Sequence, residues 1–295
     1  MQTRIAPLRH ARTAARTLAA CVIAAIVLPT LGACTSPRIA GRAESEHHVS
    51  ECESAYRSAT AGDERAQGTP LLERYLSLSL SAQAWQTVAA SCPQRLSEGI
   101  LRSAQAQWNA QNTAASLSMT YTASAADGSA LRRQRLDGVT SLPLDDTTLR
   151  KLALAEDRAG SAMQLLAAKG VAGATLTLSD NHHAVGSQLM SMAGNSADPR
   201  QKEYDLSTLL ADPATATDQA TGLQASTVAI IEMDCALEEL KALASATQTP
   251  ATGDDSTRIQ QMLTLIRLIA GHSYQAFANG YPSGDYAVFA STSKP

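Results

Sequence analysis

The sequence predicts an all-α protein: a small helical segment followed by a four-helix bundle with one long crossover. Two observations carry the fold class. Aromatic residues make up only 4% of the 295-residue chain although 44% is apolar, and the strand-like alternation of β-branched residues is largely missing. Leu, Ala, Met and Gln recur instead at the spacing of one helix face. The architecture rests on a third: four long helical patterns are joined by a short loop, a long connection and a short loop, which suits a bundle with one crossover.

The first element is a leader. Arg4, Arg9, Arg12 and Arg16 precede an apolar stretch from Leu18 to Leu31, interrupted by Pro29. That stretch falls short of the roughly 20 apolar residues a bilayer span needs, so it reads as an export signal. It ends in Leu31-Gly32-Ala33-Cys34, which looks like a bacterial lipobox. The expectation is that residues 1–33 are a signal peptide, that Cys34 is lipidated, and that the mature protein sits lipid-anchored at the extracytoplasmic face of the cell membrane. Two or three acyl chains would hold it stably, where a single chain would not. The precursor has 24 Lys and Arg against 27 Asp and Glu; loss of the four leader arginines leaves 20 against 27, a net charge of −7. An acidic body argues against nucleic acid as a partner.

Residues 34–46 form a polar tether with Pro37 and Gly41. Residues 47–117 form the helical N-terminal segment. A short helix over 45–60 carries Cys52 and Tyr56, and a charged loop follows from Gly62 to Gly68. Pro70 opens a second helix with Leu71, Leu72, Tyr75, Leu76 and Leu80 as its apolar stripe. Pro93 starts a third, with Leu96, Ile100, Leu101, Ala104 and Trp108 on one face. At this spacing Trp85 and Trp108 read as core rather than as ligand-stacking residues.

Cys52, Cys92 and Cys235 remain in the exported chain. In an oxidising compartment Cys52–Cys92 is the expected bridge, closing a loop of roughly 40 residues, with a Cys235 pairing to either as the alternative. Cys235 lies in an apolar helix and reads as a buried thiol acting as a small hydrophobe. No CxxC-type spacing suggests a cysteine-based metal site.

Residues 118–146, rich in Ser, Thr, Ala and Gly, read as an inter-domain linker whose Arg132, Arg133 and Arg135 form a solvated face or touch the acidic body. Residues 147–280 carry the four long patterns. The first starts at a Thr147/Thr148 cap and stops at Gly170. The second starts at a Ser179 cap. The third spans about 218–246, and the fourth starts at a Ser256 cap. Residues 281–295, with Tyr281, Tyr286 and Phe289 among glycines, read as an extended C-terminal tail packed on the bundle.

Each bundle helix offers a carboxylate or imidazole at its apolar edge: Glu156, then Asp180 and His183, then Glu232, then His272. Bundles that hold two metals use a Glu from each of two helices and Glu-x-x-His from the other two, because positions i and i+3 share a face. Here Asp180-Asn181-His182-His183 is a shortened version, and Ile269 stands three residues before His272. The set Glu156, Asp180, His183, Glu232 and His272 is therefore an incomplete metal site. A structural reading of the same residues is also available: Asp180 favours the positive end of a helix dipole, and His272 is a satisfied core histidine.

The segments Leu154-Ala155-Glu156-Asp157-Arg158-Ala159, His183, Tyr204-Asp205-Leu206 and Ile231-Glu232 resemble the uncharacterised ferritin-like domains of exported Gram-positive proteins, over roughly residues 147–280. The resemblance implies a ferritin-like bundle and no particular activity. No phosphate-cradling Gly-rich loop, nucleophile elbow or HExxH is present, so no catalytic residue is assigned. The expected function is a membrane-anchored lipoprotein without catalytic residues or cofactor, binding an envelope protein or a small ligand. The alternative is a metal-binding or redox bundle holding Fe, Mn or Zn.

Overall fold

The computed structural model describes residues 49–194, 197–207, 211–246 and 255–290. Residues 1–48, on which the expected leader, the expected lipidation of Cys34 and the expected tether fall, lie outside the described residues. The all-α prediction holds, and none of the described helices is long and apolar enough to cross a membrane.

Helix α1 (Glu51–Ala66) is capped by Ser50, whose hydroxyl accepts from the Glu53 amide at 3.1 Å. It runs through the stretch expected to be a charged loop, because Gly62 allows a close crossing: a Cβ there would meet that of Ser81 at 3.1 Å. Helix α2 (Leu71–Ser91) starts just after Pro70 as expected, but with the opposite face inward. Leu71, Leu72, Leu76 and Leu80 are 41–61% exposed, while Ser77, Leu78, Ser81, Ala82, Trp85 and Val88 are buried. Small residues let α2 lie close to both neighbours, and hydroxyls meet the facing backbone: Ser103 donates to the Ala82 carbonyl at 2.8 Å. Trp85 is core, its indole N–H donating to Asp63 at 2.9 Å. A 3₁₀ turn (Pro93–Arg95) leads into α3 (Leu96–Ser116), which buries Ile100, Leu101 and Ala104. The sulfurs of Cys52 and Cys92 lie at bonding distance, 2.07 Å, and Cys235 is free and buried.

Residues 118–146 are not an open linker. They form a strap that buries Leu131 and Leu136 and donates the Arg133 amide to the Arg267 carbonyl at 2.9 Å. Of the three strap arginines, Arg132 stacks on the Tyr274 ring at 3.6 Å.

Helix α4 (Asp146–Ala168) is capped by Asp145, accepting from the Thr148 amide at 2.9 Å, rather than by Thr147 or Thr148. It ends ahead of Gly170 at φ +70°. Helix α5 (Leu176–Met192) starts at a Thr175 cap, four residues before the expected Ser179. The long connection to the next helix holds a two-stranded antiparallel hairpin, β1 (Thr215–Thr217) with β2 (Gln224–Ser226), with Ala216 opposite Ala225. Helix α6 (Thr227–Ala244) is therefore shorter at its start than expected, and Ser226 caps it. Helix α7 (Asp255–Ala278) follows, and the described part of the tail, residues 281–290, ends in a single helical turn, α8 (Ala287–Ala290), rather than the expected extended cap.

Packing joins α4 to α5 and α6, α6 to α7, and α7 to α3. One hydrophobic cluster contains Ile100 and Leu101 of α3 together with Leu152, Val185, Met233, Ile266 and Ile269. The head expected to be separate thus shares a core with the later helices, and the described residues from Val49 onward form one compact unit.

Candidate metal centre

Four helices each bring an ionisable side chain to one buried point. On α4, Glu156 stands among Ala153, Ala155, Ala159 and Gly160, so α5 can approach closely. The approach is tight: a Cβ on Gly186 would come 3.1 Å from the Ala153 carbonyl oxygen, and one on Gly160 would come 3.0 Å from the His183 ring. Ser179 locks the crossing by donating to the Gly160 carbonyl at 2.9 Å. This rotation turns His182 inward. Its Nδ1 lies 2.5 Å from Glu156 Oε2 and its Nε2 lies 3.4 Å from Glu232 Oε1.

On α7, His272 completes the square. Its Nε2 is 3.1 Å from Glu156 Oε1 and its Nδ1 is 3.2 Å from Glu232 Oε2. The two imidazoles stack, with centroids 4.8 Å apart and planes 17° from parallel. Gly271 admits the strap: a Cβ there would lie 2.2 Å from the Arg133 carbonyl oxygen. Glu156 and Glu232 thus alternate with His182 and His272 in a closed ring, with each carboxylate touching both rings.

Helix α6 adds two further groups. Cys235 follows Glu232 by three positions and Glu239 follows Cys235 by four, so all three share a face. The donor atoms of Glu156, His182, Cys235 and His272 all lie within 4.8 Å of one another. Both oxygens of Glu239 are buried and accept from no donor among the described residues. Such a group requires either a proton of its own or a cation.

The electrostatics follow from this enclosure. Burial opposes ionisation of Glu232, but the charge of His182 and hydrogen bonds from both imidazoles outweigh it and hold the carboxyl at about 2. Burial likewise opposes charge on His182, and Glu232 and Glu156 overcome it, raising the imidazole to about 9. His272 is raised too, with Glu156 overcoming its burial, and Glu156 is lowered against burial by His272 and His182. Glu239 moves the other way: burial, then the charge of Glu156, pushes it well above the carboxylate range. Burial, then Glu156, also raises the Cys235 thiol.

Of the residues singled out in the sequence, Glu156, Glu232 and His272 converge. His183 does not: it faces outward and pairs with Asp157 at 3.1 Å, which also accepts from the Tyr204 hydroxyl at 2.8 Å. Asp180 is exposed and sits inside α5, not at its first turn, because the helix begins at Thr175. Glu239 is not singled out in the sequence, His182 enters there only as part of the shortened motif, second to its neighbour His183, and Cys235 reads as a core thiol and not as a metal ligand. A signal for His182 exists in its frame with Val185 and Leu189, at i+3 and i+7 on the buried face. A surface cavity of about 500 Å³ lined by Asp63, Arg74, Arg102 and Asn109 shares no residue with this cluster.

No protein-family model matches the chain, and no match was found among curated proteins or solved structures.

Proposed function

We propose that this chain is an exported lipoprotein, anchored through Cys34, whose helices α4 to α7 form a ferritin-like four-helix bundle that holds a divalent transition metal at its centre. The observation that carries the reading is the convergence of Glu156, His182, Glu232 and His272, one from each helix, with Glu239 beside them. Imidazole and carboxylate donors suit zinc, iron and manganese. Glu156 and Glu232 together balance one divalent charge in a site that excludes water. The anchoring half of the reading rests on the basic leader and Leu31-Gly32-Ala33-Cys34. The reading takes up the metal-binding alternative in place of the expectation of a bundle without a metal, which rests on the absence of a second Glu-x-x-His.

A second reading has its own observation. With both imidazoles protonated, the four N–H groups satisfy all four oxygens of Glu156 and Glu232, and a protonated Glu239 can donate towards Glu156. The ring is then a neutral structural network that needs no cation.

Metal analysis of the full chain purified without chelator separates the two. The metal reading expects near-stoichiometric metal, lost in His182→Ala and retained in His183→Ala. Metal-free protein that takes up no zinc, iron or manganese after dialysis leaves the proton-only network as the function of these residues.

A further inference from the structure

We propose that Cys235 is a ligand of this metal, making the centre a four-coordinate site of one thiolate, two imidazoles and one carboxylate that favours thiophilic divalent cations. The inference rests on the metal reading above and deepens it. Four helices supply one donor each: Glu156 from α4, His182 from α5, Cys235 from α6 and His272 from α7. Zinc bonds of about 2.0–2.3 Å place tetrahedral donors about 3.3–3.7 Å apart. The widest of these pairs, at up to 4.8 Å, must close by about 1 Å, and His182 Nδ1 and Glu156 Oε2, now 2.5 Å apart, must open by about as much to admit a cation between them.

Glu232 then takes a different role from Glu156. The two imidazoles present His182 Nδ1 and His272 Nε2 to Glu156, and the opposite nitrogens, His182 Nε2 and His272 Nδ1, to Glu232. A cation on the Glu156 side would bind the first pair of nitrogens. Glu232 would accept the N–H groups of the second pair, one on each oxygen. A carboxylate behind a ligating histidine fixes the tautomer and orients the ring, and here a single carboxylate does so for both. Glu232 is thus a positioning residue, and Cys235, three positions along the same face of α6, reaches the metal instead.

The isolation of Cys235 supports the assignment. Cys52 and Cys92 bond to each other, leaving Cys235 free, with 3% of its surface exposed. A thiol kept only to fill space would be expected among apolar atoms alone. This one packs on Ala155, Ala159 and Ile231 on one side and stands against a glutamate and two histidines on the other, with the buried carboxyl of Glu239 four residues on. Binding exchanges the cation for the thiol proton and for any proton on the two ligating nitrogens, and those protons leave to solvent. The thiolate and Glu156 carboxylate then balance one divalent charge, and the remaining negative charge of Glu232 is held by the two imidazole N–H groups it accepts. A sulfur donor selects zinc or cobalt over magnesium and manganese.

Cobalt is the probe. The full chain is stripped with chelator, dialysed and titrated with Co²⁺, with the sulfur-to-cobalt charge-transfer band in the near ultraviolet as the readout. X-ray absorption on the wild-type zinc form counts sulfur neighbours and needs no variant. The proposal expects the band in wild type, one sulfur neighbour around zinc, and no band in Cys235→Ser, which binds zinc at least about tenfold more weakly. Glu232→Gln keeps the band while losing about 10- to 100-fold in affinity, as for other residues behind metal ligands. Stoichiometric cobalt or zinc with no sulfur signature in wild type overturns the role of Cys235 and leaves the metal reading standing. Failure of the wild-type chain to bind either ion overturns both.

Discussion

Replacing either of two adjacent histidines by alanine should have very different consequences. His182 and His183 are consecutive, yet His182 has 2% of its side chain exposed and touches two buried carboxylates, while His183 is 35% exposed and pairs with Asp157. In chelator-treated protein, His182→Ala leaves Glu156 and Glu232 buried with His272 as their remaining ring partner. Breaking a buried charge pair from one side costs about 3–5 kcal/mol, whereas a partly exposed pair contributes about 0–1 kcal/mol. A total stability of about 5–15 kcal/mol makes the first loss a large fraction of the whole. At a urea m-value of about 2 kcal/mol/M, the His182→Ala midpoint should fall by about 2 M, and that of His183→Ala by no more than about 0.5 M. Urea titrations of wild type and both variants, followed by far-ultraviolet circular dichroism, make the comparison. Equal midpoints for the two variants, or a larger loss for His183→Ala, would refute the assignment of His182 to the buried ring.

Four further outcomes follow from other contacts. The stability of metal-free protein should depend on pH through the ring of Glu156, His182, Glu232 and His272, with Cys235 and Glu239 facing it. The part due to His182, raised from 6.5 to about 9, is complete below 6.5 and lost as pH rises through 9, while the part due to Glu232, lowered from 4.5 to about 2, is complete above 4.5 and lost as pH falls through 2. Urea midpoints should therefore be higher at pH 6 than at pH 9, and this difference should shrink in His182→Ala; an unchanged difference counts against the ring. Gly271→Ala forces a Cβ to within 2.2 Å of the Arg133 carbonyl oxygen and should cost about 1–3 kcal/mol by thermal denaturation, whereas Gly284→Ala, with open space around it, should be close to neutral. Removing the Cys52–Cys92 bridge, which spans 40 residues, in the double serine variant should cost about 4 kcal/mol by loop entropy, and peptide mapping that finds Cys235 bridged would contradict the pairing. Cys34→Ala should release the protein from the membrane fraction or stall its processing; correct maturation and membrane retention would remove the lipoprotein reading.

Local patterning made much of this protein legible in advance. Apolar residues at helical spacing place α4, α6 and α7 and turn Glu156, Glu232 and His272 towards their buried faces, because a helix that buries one stripe carries any polar residue on that stripe inside with it. Cysteine number and separation likewise point to the Cys52–Cys92 pair. Other features depend on contacts between segments far apart in the chain. Gly160, Ser179 and Gly186 set how closely α4 and α5 cross, and this crossing turns His182 inward and His183 towards Asp157. The leucine-rich face of α2 points outward because Ser77, Ser81 and Ala82 permit closer helix packing on the other side. The strap over Gly271 and the enclosure of Cys235 and Glu239 by α4 and α7 likewise exist only in the assembled core. Spacing along one helix determines which residues share a face; what lies opposite that face is decided by how closely two backbones can approach, and that is a property of pairs of segments.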